Sequence, residues 1–216
     1  SDNLNVSSNY VHKNNNGIWI AQVINLTIHN NNITLNSGSG IYATTSLSSA
    51  EMTHNNISLN YDRGITMYTG NEVKIIKNSI LDNGDFSSDD GIYIYNFQNG
   101  TLSENIILRN FGNGLNLRHS SDNKINDNIV SENKNSGIFI YSNIPTGRSA
   151  NNSLNENLIN NNMAWGIYLV NIQFLPSDTN ISKNTVVNNS LGGVYLEKTS
   201  GNLVKENSIS NNNNFG

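Results

Sequence analysis

Cysteine is absent from the 216 residues, which excludes disulfides and thiolate-bound metal. No apolar run reaches the roughly 18 residues that a membrane-spanning helix needs, so no membrane insertion is expected. Charge is sparse: 12 Lys and Arg stand against 16 Asp and Glu, a formal net charge of −4. That balance lacks the basic surface nucleic acid selects, and no nucleic-acid partner is expected. Proline occurs twice. The chain opens at Ser1 rather than Met and shows no signal-peptide pattern, as a processed or trimmed chain would. Its length is enough to bury a real core.

What it has in excess is asparagine, 47 residues of it. Asparagine is a poor helix former that favours turns and hydrogen bonds to the backbone. Such a bias also occurs in disordered tracts, but here the apolar residues fall on a fixed lattice. Glycine recurs at 17, 40, 64, 91, 114, 137, 166, 193 and 216, with spacings of 23 to 29 residues. Four residues before most of these stands an Asn (Asn36, Asn60, Asn110, Asn133, Asn162, Asn189, Asn212); Asn83 departs, with four extra residues before Gly91. Five residues earlier stands another, from Asn31 and Asn55 to Asn184 and Asn207. Two residues after that first Asn comes Ile or Val in every repeat, and positions one and three after each glycine are apolar.

Local alternation of period two predicts short strands. Each repeat holds three, too short to form a sheet alone, so repeats must stack with each strand pairing in parallel with its equivalent. The fold class is therefore all-β: a right-handed parallel β-helix, a solenoid of eight to nine coils of about 23 residues. It is expected to be a single domain over residues 1–216, with 1–16 a degenerate first coil. The rod would be about 40 Å long. Inward Asn columns would bond to one another and to corner backbone, which makes the Asn excess mostly structural. Neither end shows a polar cap, so the chain is expected to be an excerpt of a longer protein or to self-associate end to end.

Insertions break the lattice at "GDFSSDD" before Gly91, at 143–150 and at 171–178, and loops of this kind often carry function. The outward second and fourth positions after each glycine collect seven of the nine tyrosines. Such a row either stabilises the ladder or offers flat faces to the rings of a polysaccharide, with Asn, Asp and Arg bonding the hydroxyls. The row is interrupted at Asn116, Arg118 and His119. Around that gap the expected ligand contacts are Tyr68, Tyr93, Tyr95, Asn116, Arg118, His119, Tyr141 and Arg148. Asp62, Asp89 and Asp90 are the candidate acid and base should a reaction occur there. Asp89 and Asp90 also read as plain turn residues before Gly91. No cofactor is expected, although Asp85, Asp89 and Asp90 would suit calcium.

The lattice "N-G-[IL]-x-[IL]…N-x-[IV]-x-x-N" resembles the NosD-type parallel β-helix repeat over residues 17–216. The resemblance implies a pectin-lyase-like superfold found in surface proteins, in carbohydrate-binding and sugar-hydrolysing domains, and in maturation proteins of nitrous oxide reductase. Within it, Asn60-Tyr61-Asp62, Asp89-Asp90 and Gly112-Asn113-Gly114 resemble the successive motifs of inverting polygalacturonases, with Asn113 where that family has His. The function expected is an extracellular or cell-surface module that binds polysaccharide along its aromatic face. The alternatives are a polysaccharide-degrading enzyme using the acidic cluster, or a purely structural repeat.

Overall fold

A computed structural model describes residues 2–143, 149–172 and 177–216. Among the described residues there are 29 strands, collected into three all-parallel sheets that run the length of a solenoid. Sheet 1 has eight strands, from Ile18–Ile20 to Gly192–Glu197, and holds the segment after each lattice glycine. Sheet 2 has twelve strands, and sheet 3 has nine, from Tyr10–His12 to Ser208–Ser210.

Register is strict because every coil repeats the same inward residue. In sheet 1 Ile41, Ile65, Ile92, Leu115, Ile138 and Ile167 stack on one another. In sheet 3 Ile80, Ile107, Val130, Ile159 and Val186 do the same. All are essentially sealed from solvent and form one continuous core. A slip of one residue would turn this whole column outward, so burial fixes the register.

The corners explain the asparagines. Each ladder Asn follows a residue in the left-handed region, such as Lys77 (φ 57°), Asp82 (φ 55°) and Arg109 (φ 54°). This conformation costs a non-glycine residue about 1 kcal/mol and turns the chain sharply, leaving backbone groups without strand partners. The Asn side chain supplies the partners. Asn110 donates its backbone N–H and Nδ2 to Asn133 Oδ1 (3.0 and 3.1 Å) and Nδ2 also to the Ile80 carbonyl (3.1 Å). It accepts the same pair of bonds from Asn83. Two such ladders run from Asn9 to Asn207 and from Asn14 to Asn212. The first coil is thus less degenerate than its sequence suggests, since Asn9 and Asn14 both join. Asn83 also keeps its place, because the insertion after it is looped out.

The lattice glycines are required by close approach. A Cβ on Gly91 would lie 2.7 Å from the Gly114 carbonyl oxygen, Asn110 Nδ2 and Ile107 Cγ2 alike. Chain crosses chain there, and no side chain fits.

Candidate functional site

The insertion before Gly91 forms a compact loop. Gly84 takes a positive φ of 92° to start it. Asp89 closes it: Oδ2 accepts the backbone N–H groups of Asp85 (3.2 Å) and Phe86 (2.9 Å), and Oδ1 accepts the Ser88 hydroxyl (3.3 Å). The Asp89 carboxylate therefore holds the loop together. Phe86 projects from it, 68% exposed.

Asp90, the next residue, turns the other way. It occupies the position just before the lattice glycine, which is Arg63 one coil below and Asn113 one coil above. Its Oδ1 accepts both the backbone N–H and Nδ2 of Asn113, and its Oδ2 accepts Asn116 Nδ2, all at 2.8 Å. Arg63 Nε stands 3.8 Å from the same Oδ2. Asp90 is 1% exposed. Burial pushes its carboxyl up to about 6, against the pull of the Asn113 and Asn116 amides and the Arg63 guanidinium.

Above this carboxylate two guanidiniums share one ring. Arg63 Cζ lies 4.4 Å and Arg118 Cζ 5.6 Å from the centroid of Tyr93, and Arg118 is also 5.1 Å from that of Tyr141. Arg63 is steadied by Nε donating to the Ser88 carbonyl (3.2 Å), and Arg118 by Nε donating to Asn116 Oδ1 (3.4 Å). Burial raises the Tyr93 phenol, opposed by the two arginines. Arg63, Ser88, Asp90, Asn113, Asn116 and Arg118 border an open cleft of about 210 Å³, whose far side is Asn135, Ser136, Phe139 and Tyr168.

The aromatic row continues on both sides. Tyr42, Tyr68 and Tyr93 meet edge to face at 6.1 Å. Beyond the cleft Phe139, Tyr168 and Tyr195 follow at 5.1 and 5.0 Å. Trp165 stacks on Tyr195 at 4.6 Å and lies 6.0 Å from Phe215, in the same column as Asp90. Tyr168 donates its hydroxyl to Glu197, and burial and that carboxylate raise its phenol.

The structure thus brings together Asp90, Tyr93, Asn116, Arg118 and Tyr141, with Tyr68 at the edge. Several expected site residues fall elsewhere. Asp62 accepts the Ser39 hydroxyl (2.8 Å) and shares with Asp85, Phe86 and Asp89 a separate cleft of about 430 Å³. His119, expected among the ligand contacts, is 6% exposed, with Tyr95 and Tyr141 against its ring at 5.0 and 6.2 Å. Its left-handed backbone (φ 51°) turns it into the corner. Asn116 and Thr66, expected to face solvent, are 2% and 0% exposed, the first against Asp90 and the second against Ser39. Arg148 lies outside the described residues. Among the described residues no group of three or more His, Cys, Asp or Glu side chains is placed to hold a metal ion; of the three acids considered for calcium, Asp89 turns back to its own loop and Asp90 to Asn113. Sequence reasoning missed the column before the glycine. Its signal was variation: Ser39, Arg63, Asp90, Asn113, Ser136 and Trp165 differ from coil to coil beside a glycine that does not.

A family model described as right-handed beta helix region matches residues 1–146 and again 63–174. No curated protein matches the sequence. Among solved structures, a double mutant of the periplasmic alginate epimerase AlgG is similar with a TM-score of 0.82 and 16% identity, covering 95% of this chain and 50% of that one. The A-module of Azotobacter vinelandii mannuronan C-5 epimerase AlgE4 follows at TM-score 0.63 and 15% identity, covering 90% of this chain and 63% of that one. DFA-IIIase from Arthrobacter chlorophenolicus A6, in complex with DFA-III, is similar at TM-score 0.51 and 14% identity, covering 90% of this chain and 47% of that one. The chain spans about half to under two thirds of the length of these structures, and at such identity they speak for the fold.

Proposed function

The chain belongs to the right-handed β-helix family, whose scaffold prescribes no chemistry, and on that premise we propose that it binds an anionic polysaccharide across sheet 1. The observation that carries this is the Tyr93 ring flanked by Arg63 and Arg118 above the cleft. A net-negative protein sets one guanidinium from the coil below and one from the coil above against this ring, where each can grip a carboxylate or sulfate. The rings on either side, Tyr68 below and Phe139 and Tyr168 above, offer stacking faces to neighbouring sugars. Three carbohydrate-active structural neighbours support a polysaccharide ligand. The coil pattern further aligns the chain, in this reading, with NosD-type repeats. A polymer of this kind fits an extracellular or cell-surface location. Among the described residues no helix is long and apolar enough to cross a membrane.

The test is calorimetric titration with neutral and acidic polysaccharides. Binding confined to acidic ones, and lost in Arg118→Ala and Tyr93→Ala, supports the reading; equal binding of neutral polymers, or none, overturns it.

A second reading rests on one observation. Asp90 is buried with its carboxyl raised to about 6, as a general acid working near neutral pH requires. In that reading the protein cleaves the bound polymer with Asp90 as acid. Asp62 and Asp89, the other acids considered, are engaged by Ser39 and by the loop. Release of reducing ends that disappears in Asp90→Asn would select catalysis over binding alone.

A further inference from the structure

Sheet 3 lies on a different side of the rod from this cleft, and its outer face has an unusual composition. The first and third positions of its three-residue strands point outward, from Tyr10–His12 through Ser208–Ser210. None of them is Asp, Glu, Lys or Arg. Sheet 2, built from the same repeat, carries Glu51, Lys74, Lys124 and Lys205 on its outer face. At the middle of the charge-free face sits an aliphatic patch on adjacent strands: Leu81, Ile106, Leu108, Ile129 and Leu158. Ile106, Ile129 and Leu158 are 38%, 39% and 37% exposed. Asn, Ser and Thr positions, with the single Val187, flank the patch in both directions along the rod. An apolar centre inside a polar rim is the anatomy of a protein interface.

The long edges of this face carry charge in a complementary order. Lys77 and Glu104 pair along one edge (3.5 Å), and Asp82 and Arg109 along the other (2.7 Å). Lys77 and Asp82 flank the same strand, as do Glu104 and Arg109. Up the rod, one edge therefore reads positive then negative and the other negative then positive.

We infer that sheet 3 is a self-association face on which a second copy of this chain packs, coil against equal coil, about a two-fold axis parallel to the rod. That operation lays opposite edge on opposite edge and Ile106 on the partner's Leu108 at the centre, with Ile129 and Leu158 one and two coils from that contact, opposite the partner's Ser131 and the partner's Asn160. Lys77 then meets the partner's Asp82, and Glu104 meets the partner's Arg109. The other in-plane two-fold, perpendicular to the rod between those two coils, also opposes unlike charges, but it moves Ile129 and Leu158 off the partner's patch, onto Asn56–Ser58 and Asn32–Thr34, strands with no outward aliphatic residue. Nine strands about 4.8 Å apart give a face about 40 Å long. At a width near 15 Å, two copies bury roughly 1,200 Å² in total, the lower edge of stable interfaces. One coil further, Asp127 faces the partner's Glu132, so the association is weak and reversible.

Sedimentation equilibrium of the 216-residue chain tests it, with a monomer–dimer equilibrium of roughly micromolar Kd expected. Ile129→Lys, at an exposed position that leaves the fold intact, is expected to weaken dimerisation at least tenfold; Thr27→Lys on sheet 2 is expected to leave it unchanged. A nitroxide on Thr185→Cys, the only thiol in such a chain, should report a label–label distance below about 25 Å, because equal coils face each other across sheets about 10 Å apart. Monomer at every concentration overturns the inference and leaves the face to a different partner. So does a dimer indifferent to Ile129→Lys, as end-to-end stacking would be, or a label distance above about 30 Å.

Discussion

Replacing Asp90 by Asn removes a buried carboxylate and keeps its shape. In the folded chain the carboxyl titrates at about 6, raised first by burial; its ordinary value is 3.8. The folded state therefore binds the Asp90 proton more tightly than the unfolded state does. Stability from this source is fully present below about pH 4 and is lost as the pH rises through about 6. At about 1.4 kcal/mol per tenfold in proton affinity, the loss is on the order of 3 kcal/mol at neutral pH. The three amide bonds and Arg63 reduce the penalty without cancelling it. Urea unfolding of both proteins at intervals from about pH 4 to pH 8 isolates the effect, because every other titrating group cancels in the difference. The wild type is expected to lose about 3 kcal/mol relative to Asp90→Asn across the window and to run parallel above about pH 7. A difference that stays flat would mean that Asp90 titrates as in the unfolded chain. A difference of opposite slope would mean that Arg63 and the amides outweigh burial. Either result refutes the reasoning.

The same carboxylate sets the charge under the cleft. Anionic polysaccharide is expected to bind several-fold more tightly at pH 5 than at pH 7, and Asp90→Asn to flatten that dependence, measured by titration calorimetry. Asn110→Ala breaks one ladder: it takes the acceptor from the Asn83 backbone N–H and Nδ2 and the Nδ2 donor from the Ile80 carbonyl and Asn133 Oδ1 in a buried column, and each buried group left unpaired costs about 1–3 kcal/mol. A drop of at least about 3 kcal/mol in urea is expected, and under about 1 kcal/mol would show that the ladder is not structural. Gly91→Ala forces a Cβ into the Gly114 carbonyl and is expected to cost about 2–3 kcal/mol in the same assay.

The fold was legible because its determinants are local and repeated. An inward Ile or Val, a corner Asn and a crossing Gly mean the same thing in every coil, and successive coils corroborate one another. The site was legible only in outline, because its contacts run across coils. Nothing in the string "SSDDG" says that Asp89 turns back to the Asp85 and Phe86 amides while Asp90 turns up to Asn113. The outcome depends on the left-handed start at Gly84 and on what the next coil presents. His119 shows the same limit: expected to reach ligand at the gap in the row, it is set by a left-handed backbone in the corner between Tyr95 and Tyr141.

A repeat protein separates these two kinds of information physically. Positions that face the core must satisfy the same neighbours in each coil, so drift there costs cavity or clash. Positions off that core are free to differ, and difference is where a single site on a periodic rod must be written. The column before the lattice glycine meets that condition at Arg63, Asp90 and Asn113, three residue types on three coils joined through one carboxylate. Sheet 3 meets it in the opposite sense. Its outer face varies among Ser, Thr, Asn and aliphatic residues, with Tyr10 and His12 on the first strand, but never admits Asp, Glu, Lys or Arg, although its own edges and the neighbouring sheet do. Recognition on this scaffold is thus read from departures: a departure from the repeat marks the cleft, and a departure from the chain's ordinary surface marks the flat face.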